Sequence, residues 1–339
     1  MKCAGLPAIG SMKICFYALR DFDELPMARR FEKKYGIEFV WTGDYPNDGN
    51  IALAQGCDAI SFTPCLVKEE WMQAWSDMGV KTICNRSIGY DHVPLKKAKE
   101  LGMHVCISPY PTECVADFAI MLILMCIRNM NQTMIRARAQ DFTLKNKMGR
   151  NLDQLTVGVI GTGHIGRTLI RHIAGFGCRL LCYDEYPNEE AAKLAEYVSF
   201  ETLLQESDVI SLHVPSNPST YHMLNREAFD KMRDGVVIVN TARGNVIDSK
   251  ALIDAINSGK VSSAGLDLLE NEHDLYYCFR SGENLHNDEL NMLRSFPNVI
   301  VSPHVAFYVE STVANMVEKS FTSAICEAKG EKNPVEIEL

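Results

Sequence analysis

Three glycines, one aspartate, one arginine and one histidine are the residues of this chain whose types and spacing could do chemistry. Gly161-Thr162-Gly163-His164-Ile165-Gly166 follows the apolar run Val157-Gly158-Val159-Ile160 and leads at once into a helical pattern, Thr168-Leu169-Ile170-Arg171-His172-Ile173. A buried parallel strand that turns tightly into a helix needs this order. Gly161 permits the sharp turn, Gly163 lets a pyrophosphate approach the backbone, and Gly166 lets the helix lie close on the strand. The first-turn N–H groups and the positive end of the helix dipole then face the phosphates. Asp184 ends the next apolar run, eighteen residues after Gly166. That is where an acid accepts from a ribose 2′-hydroxyl. A glycine pattern alone also marks ordinary strand-to-helix turns, with the acid merely solvated. Strand, helix and acid together point to a dinucleotide, and the charge of Asp184 opposes a 2′-phosphate.

Arg243 directly follows the apolar run Val236–Asn240 and Thr241-Ala242, and precedes Gly244. Its planar fork suits a carboxylate or the carboxylate and carbonyl of a 2-oxo acid. An exposed arginine or an internal salt bridge are the plainer readings. Asp267, Glu270 and Glu272 follow another strand pattern, with an acidic loop as the alternative. His304 follows Val299–Ser302 and Pro303, and of nine histidines it alone has this strand-end setting. A histidine held by a carboxylate stays protonated near neutrality and can donate to a developing alkoxide. His164 lies inside the glycine turn, and His92, His172, His222 and His286 read as surface residues.

The elements that must position these groups alternate between strand and helix. Strands are expected at Met12–Leu19, Ile37–Trp41, Asp58–Phe62, Val80–Cys84 and His104–Ile107, with helices at Glu24–Tyr35, Lys68–Met78 and Pro94–Leu101. Such alternation implies parallel sheets with crossover helices. Two prolines in Ser108-Pro109-Tyr110-Pro111-Thr112 break the pattern, so the chain leaves its first sheet there. A helix over Glu113–Arg138, apolar nearly all round at its start, must be covered by more than one surface. It is a candidate subunit interface. Six further strands (Val157–Ile160, Arg179–Asp184, Val209–Val214, Val236–Asn240, Ser262–Asp267, Val299–Ser302) fit a doubly wound dinucleotide domain. A last amphipathic helix, Val309–Lys329, has no strand after it and is expected to pack back on the first domain. The fold class is therefore α/β, with two Rossmann-like doubly wound domains and a cleft between them. Residues 1–111 and 308–339 form a discontinuous substrate-binding domain, and 112–307 the nucleotide-binding domain.

Composition narrows the function classes. The 339 residues are 47% hydrophobic and 23% charged, as in soluble globular proteins. A net charge of −9 and the lack of a basic run argue against a nucleic-acid partner. Twelve cysteines are scattered without a CxxC pair, so buried free thiols in a reducing cytoplasm are expected, with no metal site. The apolar stretch Val115–Ile127 is shorter than the roughly 20 residues of a membrane span, and no secretory signal opens the chain. Residues 1–11 precede a second natural-looking start, Met12-Lys13-Ile14, and read as an extension.

Taken in order, the glycine turn, Asp184, His213-Val214-Pro215, Thr241-Ala242-Arg243-Gly244, Asp267-x-x-Glu270-x-Glu272 and Ser302-Pro303-His304 resemble the NAD-dependent D-2-hydroxyacid dehydrogenase family over essentially the whole chain. Asn85 to His92 and Val115-Ala116-Asp117 extend the likeness, which is strongest to the D-lactate dehydrogenase branch, including its vancomycin-resistance type. The resemblance implies that Arg243 holds the substrate carboxylate and polarises the keto oxygen. It makes His304 the general acid/base and Glu272 its partner, with backbone N–H groups of Ile88 and Gly89 on the carboxylate. Tyr110 would lie beside the substrate, and Phe307 would line its side-chain pocket. On the NAD side it implies Gly161, Gly163, Gly166, His164, Ile165 and Asp184 at the pyrophosphate and ribose. Val214 and Pro215 would flank the adenosine half, and Thr241, Ala242 and Asp267 would approach the nicotinamide. The implied reaction is reduction of a 2-keto acid, pyruvate first, to a D-2-hydroxy acid by a cytoplasmic homodimer joined through the helix that starts near Glu113. A bulkier keto acid (2-ketoisocaproate, phenylpyruvate, 2-oxoglutarate) and a non-catalytic NAD(H) sensor are the alternatives. The sequence departs from the family at Tyr110-Pro111-Thr112-Glu113, where Tyr-Ser-Pro-Asn is common, and in the aromatic insert His273–Asn287.

Overall fold

Runs of four or five apolar residues, bounded by turn residues, become short parallel strands in the computed structural model. It describes residues 12–339 apart from 273, 274, 276 and 278. The extension expected over 1–11 and those four positions of the aromatic insert lie outside the described residues. The chain divides into two units, one made of the residues up to Pro111 with Tyr308–Leu339, the other of Thr112–Phe307.

The first unit runs β1 (Lys13–Phe16), α1 (Glu24–Tyr35), β2 (Glu38–Trp41), β3 (Ala59–Phe62), α2 (Glu69–Asp77), β4 (Thr82–Asn85), α3 (Leu95–Leu101) and β5 (His104–Cys106). All pairings are parallel, in the order β2-β1-β3-β4-β5. Successive side chains of a strand face opposite sides, and here both sides are covered. Cys15 and Tyr17 pack with Trp71, Met72 and Trp75, while Ile14 and Phe16 pack with Phe31 and Phe321. Burial on both faces explains why these strands read as continuous apolar runs. The order reverses between β1 and β3, so the loops after β1, β3, β4 and β5 gather at the carboxyl edge where ligands bind in such sheets.

The second unit runs α4 (Glu113–Ile127), α5 (Met130–Arg138), β6 (Thr156–Ile160), α6 (His164–Ile173), β7 (Arg179–Tyr183), α7 (Glu189–Ala192), β8 (Glu196–Tyr197), α8 (Phe200–Glu206), β9 (Val209–Leu212), α9 (Arg226–Lys231), β10 (Val236–Asn240), α10 (Ser249–Asn257), β11 (Val261–Leu266), α11 (Asp288–Ser295) and β12 (Val299–Val301). Its sheet is parallel throughout, in the order β12-β11-β10-β9-β6-β7-β8. Among the described residues this unit has seven strands, one more than expected. The addition, β8, is a two-residue edge strand paired through Leu181–Glu196 and Cys182–Tyr197, too short and too polar to leave a pattern. The single helix expected over Glu113–Arg138 is two helices. Asn129 takes a left-handed φ of 51° between them, and its side chain donates to Met148 O at 2.8 Å. Gly149 packs so closely that a Cβ there would lie 2.9 Å from Arg128 Cα.

The chain then returns to the first unit as α12 (Glu310–Lys329). Phe321 meets the rings of Phe16, Phe31, Tyr35 and Phe39 at centroid distances of 5.6–6.3 Å, and Ser320 Oγ lies 2.8 Å from Ser61 Oγ. The ten described cysteines are free. Among the described residues no helix is long and apolar enough to cross a membrane, and no group of three or more His, Cys, Asp or Glu could hold a metal ion.

Candidate active site

The order of the second sheet decides which residues share its carboxyl edge. Leu212, Asn240, Leu266 and Val301 stand in one register across β9, β10, β11 and β12, and Ile160 pairs with both Leu212 and Tyr183 on the other side. Neighbouring strands are about 4.8 Å apart. Six segments therefore leave one edge side by side: the loops that begin at Ser302, Asp267, Thr241, His213, Gly161 and Asp184. The direction of winding reverses between β6 and β9, which puts the opening of the crevice at the glycine turn.

That turn has the shape a pyrophosphate requires. Gly161 has φ of 94°, and a Cβ on it would lie 2.5 Å from His213 O, so only glycine fits. A Cβ on Gly166 would come within 2.0 Å of Gly161 O, whereas one on Gly163 would meet nothing within 4 Å. The backbone is closed beneath and open above. Among the described residues no side chain caps the start of α6, so its first N–H groups face that opening. Asp184 Oδ2 accepts from Thr162 N at 2.5 Å and from Thr162 Oγ1 at 3.1 Å, and Oδ1 accepts from Tyr186 N at 2.8 Å. Tyr197 OH donates to Thr162 Oγ1 at 2.7 Å and fixes the same corner. The residues present thus fit a dinucleotide. His164 is exposed beside Arg167, Ile165 and Val214 are half-buried, and Pro215 is exposed. Thr241 and Ala242 are buried, and the buried Thr241 Oγ1 has no hydrogen-bond partner among the described residues.

Three strand ends supply the remaining chemistry. Ala242 N donates to Asn240 Oδ1 at 3.0 Å, and Asn240 Nδ2 donates to Arg243 O at 2.8 Å. A buried asparagine amide thereby sets the bend that carries Arg243. Gly244 lies against the next loop, where a Cβ would sit 2.0 Å from the Leu269 carbonyl carbon. Asp267 is fully buried. Ser302 Oγ (2.6 Å) and Val305 N (3.0 Å) donate to its Oδ1, and Ala306 N (2.9 Å) to its Oδ2. Burial pushes this carboxyl above the ordinary carboxylate range, against the pull of those donors and of His304. Asp267 thus holds the loop on which His304 sits, and His304 N donates to Asp267 O at 2.9 Å. His304 has φ of 54°, an unusual conformation for a non-glycine residue and a recurrent sign of a functional position. Its Nδ1 is 3.1 Å from Glu272 Oε1, while Glu272 Oε2 accepts from Leu269 N at 2.8 Å. Phe307 presents its ring edge-on to His304 at 6.2 Å, and Tyr277 OH donates to His304 O at 2.6 Å. With Nδ1 committed to Glu272, Nε2 is the nitrogen left for proton transfer.

In the first unit, Ile88 and Gly89 lie in the turn after β4. Among the described residues no acceptor is bonded by the N–H groups of Ile88, Gly89 or Tyr90. Successive N–H groups in such a turn form an anion-binding concavity. Tyr110 is half-buried after β5.

The sequence of residues 120–306 matches the family model described as the D-isomer specific 2-hydroxyacid dehydrogenase, NAD binding domain. The chain belongs to this family. It is 37% identical over 314 residues to the aromatic 2-oxoacid reductase of Clostridium sporogenes, covering 91% of this chain and 93% of that one. It is 36% identical over 329 residues to the D-lactate dehydrogenase of Escherichia coli, covering 96% and 100%. Its fold is also that of a solved D-2-hydroxyisocaproate dehydrogenase, with a TM-score of 0.88 at 32% identity over 96% of this chain and 99% of that chain. The protein is accordingly an NAD-dependent oxidoreductase of the D-2-hydroxyacid dehydrogenase family.

Three histidines expected at the surface of this dehydrogenase are half-buried and paired. His222 Nε2 lies 2.6 Å from Glu270 Oε1, and Glu270 Oε2 accepts from Ser249 N at 3.0 Å. His172 Nδ1 meets Asp117 at 2.6 Å, and His92 Nε2 meets Asn85 Oδ1 at 3.0 Å. Their partners are far away in sequence or arrive from a strand end, so spacing gave no signal. His213, in the His213-Val214-Pro215 motif, is a further buried group whose setting is not visible in the motif itself. His213 Nε2 sits 2.8 Å from Ser211 Oγ and its buried Nδ1 has no partner among the described residues, so burial pushes the imidazole pKa down to about 4. The ring beneath the glycine turn is therefore neutral. Because the folded value lies below the unfolded one, the unfolded chain takes up the proton first as pH falls. We expect up to about 3 kcal/mol of stability to be lost between roughly pH 6.5 and 4. Urea unfolding of wild type and His213→Asn across this range checks it; equal pH slopes for the two would refute the assignment.

Proposed function

We propose that this dehydrogenase reduces pyruvate to D-lactate, with Thr112–Phe307 holding the dinucleotide and the other unit contributing substrate-binding groups. The observation that carries the reading is the Glu272–His304 pair, two strand ends from Arg243 on the edge that bears the glycine turn. Bound NADH supplies the hydride that C2 of the oxo acid accepts. Arg243 holds the carboxylate and stabilises the charge that develops on the oxo oxygen, and the Ile88 and Gly89 amides add donors to the carboxylate. His304 delivers a proton to that oxygen from Nε2, while Glu272 keeps the imidazolium oriented and compensated. Likeness to the D-lactate dehydrogenase of Escherichia coli over 96% of this chain and 100% of that one supports pyruvate as substrate.

One observation favours a second reading. Phe22, Tyr45, Leu66 and Tyr90, all exposed, stand on the loops that follow β1, β2, β3 and β4. An apolar rim of this kind would suit an aromatic 2-oxo acid, the substrate class named for the Clostridium sporogenes relative. Ranking kcat/KM with NADH for pyruvate, 2-oxoisocaproate, phenylpyruvate and 2-oxoglutarate tests the proposal. We expect pyruvate first. Phenylpyruvate first would replace the D-lactate reading, and cofactor binding with no turnover on any acid would favour a sensor.

We further propose that the protein is a homodimer through the segment beginning with α4. Phe142, Leu144 and Met148 are 78%, 88% and 91% exposed. Ile120, Met121, Leu124, Met125, Met130 and Phe176 line a groove on the same unit. Large apolar side chains left this open mark an interaction surface. Sedimentation should give twice the chain mass, with Leu144→Asp shifting it toward monomer; a monomeric wild type at micromolar concentration would exclude the dimer.

A further inference from the structure

The turn after β4 is held from below by a side-chain clamp. Asn85, the last residue of β4, is fully buried, and its Nδ2 donates to Gly89 O at 2.7 Å. A carbonyl only accepts, so the amide cannot be reversed without setting two oxygens against each other. Its Oδ1 must therefore face His92, whose Nε2 lies 3.0 Å away. An amide oxygen also only accepts, so Nε2 of His92 must carry a proton. The ring of His92 packs edge-on against the buried Phe62 at 6.3 Å, which fixes its plane. Ser108 braces the start of the turn, with its N donating to Ser87 O and its Oγ to Asn85 O, both at 3.0 Å.

The clamp has a consequence for the face of the turn opposite Asn85. The described peptide bonds are trans, so C=O and N–H of one peptide unit point in opposite directions. Turning the Gly89 carbonyl inward to Asn85 turns the Tyr90 N–H outward. That N–H joins those of Ile88 and Gly89, none of which bonds a described protein acceptor. We propose that Asn85 and His92 are positioning residues that aim three consecutive amides, Ile88, Gly89 and Tyr90, at the substrate carboxylate. The inference rests on the proposed binding of that carboxylate at this turn, and it adds a donor and a device to it.

The experiment is steady-state kinetics of the NADH-loaded enzyme with pyruvate, with melting temperature and NADH affinity measured for each variant. Asn85→Asp keeps the shape but loses the donor and sets a carboxylate oxygen against Gly89 O. We expect its KM to rise about 10-fold or more, at the upper end of what one hydrogen bond supplies, with kcat within about threefold and NADH affinity unchanged. His92→Phe should raise KM several-fold, and His92→Gln, which restores an N–H donor, should return it to near wild type. Ile88→Pro removes one of the amides directly and reports on the site itself. If Ile88→Pro raises KM while folded Asn85→Asp does not, the clamp is wrong and carboxylate binding at the turn stands. If neither does, both are wrong. Nitrogen NMR of His92 in wild type decides the matter even where a variant fails to fold: the Nε2–H tautomer is required, and the Nδ1–H tautomer overturns the clamp.

Discussion

Arg243→Gln should lower kcat about 10²- to 10³-fold and raise KM for the oxo acid, while leaving NADH affinity and the melting temperature near wild type. The kinetic loss follows from what the side chain does in two states. In the ground state it holds a carboxylate, and losing that raises KM. In the transition state it faces an oxygen acquiring negative charge, and removing one preorganised donor at such a position typically costs two to three orders of magnitude. The fold is spared because the Asn240 amide bonds to Ala242 N and Arg243 O hold the bend and remain when the guanidinium bond to Ala242 O, at 2.8 Å, is lost. Arg243→Lys separates the terms. It keeps a charge but loses the planar fork, so it should recover part of the turnover and less of the affinity. A glutamine variant within about tenfold of wild type in kcat/KM would remove Arg243 from the reaction.

His304→Asn is expected to lower kcat about 10²- to 10⁴-fold, the usual worth of a positioned general acid. Asparagine is chosen because position 304 has φ of 54°, a region that asparagine tolerates better than most residues. The hydrogen bonds from Val305, Ala306 and Ser302 to Asp267 hold the loop independently of the ring. A large drop in kcat with an unchanged melting temperature would therefore report lost proton transfer. Glu272→Gln keeps an acceptor near Nδ1 but removes the charge that balances an imidazolium, so its loss should be smaller and should not add to that of His304→Asn. Additive losses for Glu272→Gln and His304→Asn would show that the two residues act separately.

The legibility of the chain follows the range of the interactions. Parallel strands buried on both faces need continuous apolar runs, so nearly every strand was visible at its true position. The exceptions have local causes. β8 has two residues, one of them an exposed glutamate, and the break between α4 and α5 rests on Asn129 reaching Met148 and on Gly149 closing against Arg128. Neither contact can be read from helical spacing.

For the site the division is sharper. The glycine turn was fully legible, because its whole physics (a positive φ at Gly161, a backbone contact at Gly166, an open face at Gly163) lies within six consecutive residues. That Arg243 and His304 stand at strand ends was equally plain. Tertiary structure alone decided how three carboxylates were shared out. Asp267 takes the Ser302 hydroxyl and the Val305 and Ala306 amides, Glu270 takes His222, and Glu272 takes His304. A left-handed residue at 304 and the register of β10, β11 and β12 choose between near-identical acids, and register belongs to neighbours in space. The same holds for Asn85, whose amide orientation depends on which way the Gly89 carbonyl faces. Sequence determined the chemistry at each strand end; the packing of strands beside one another determined which groups meet.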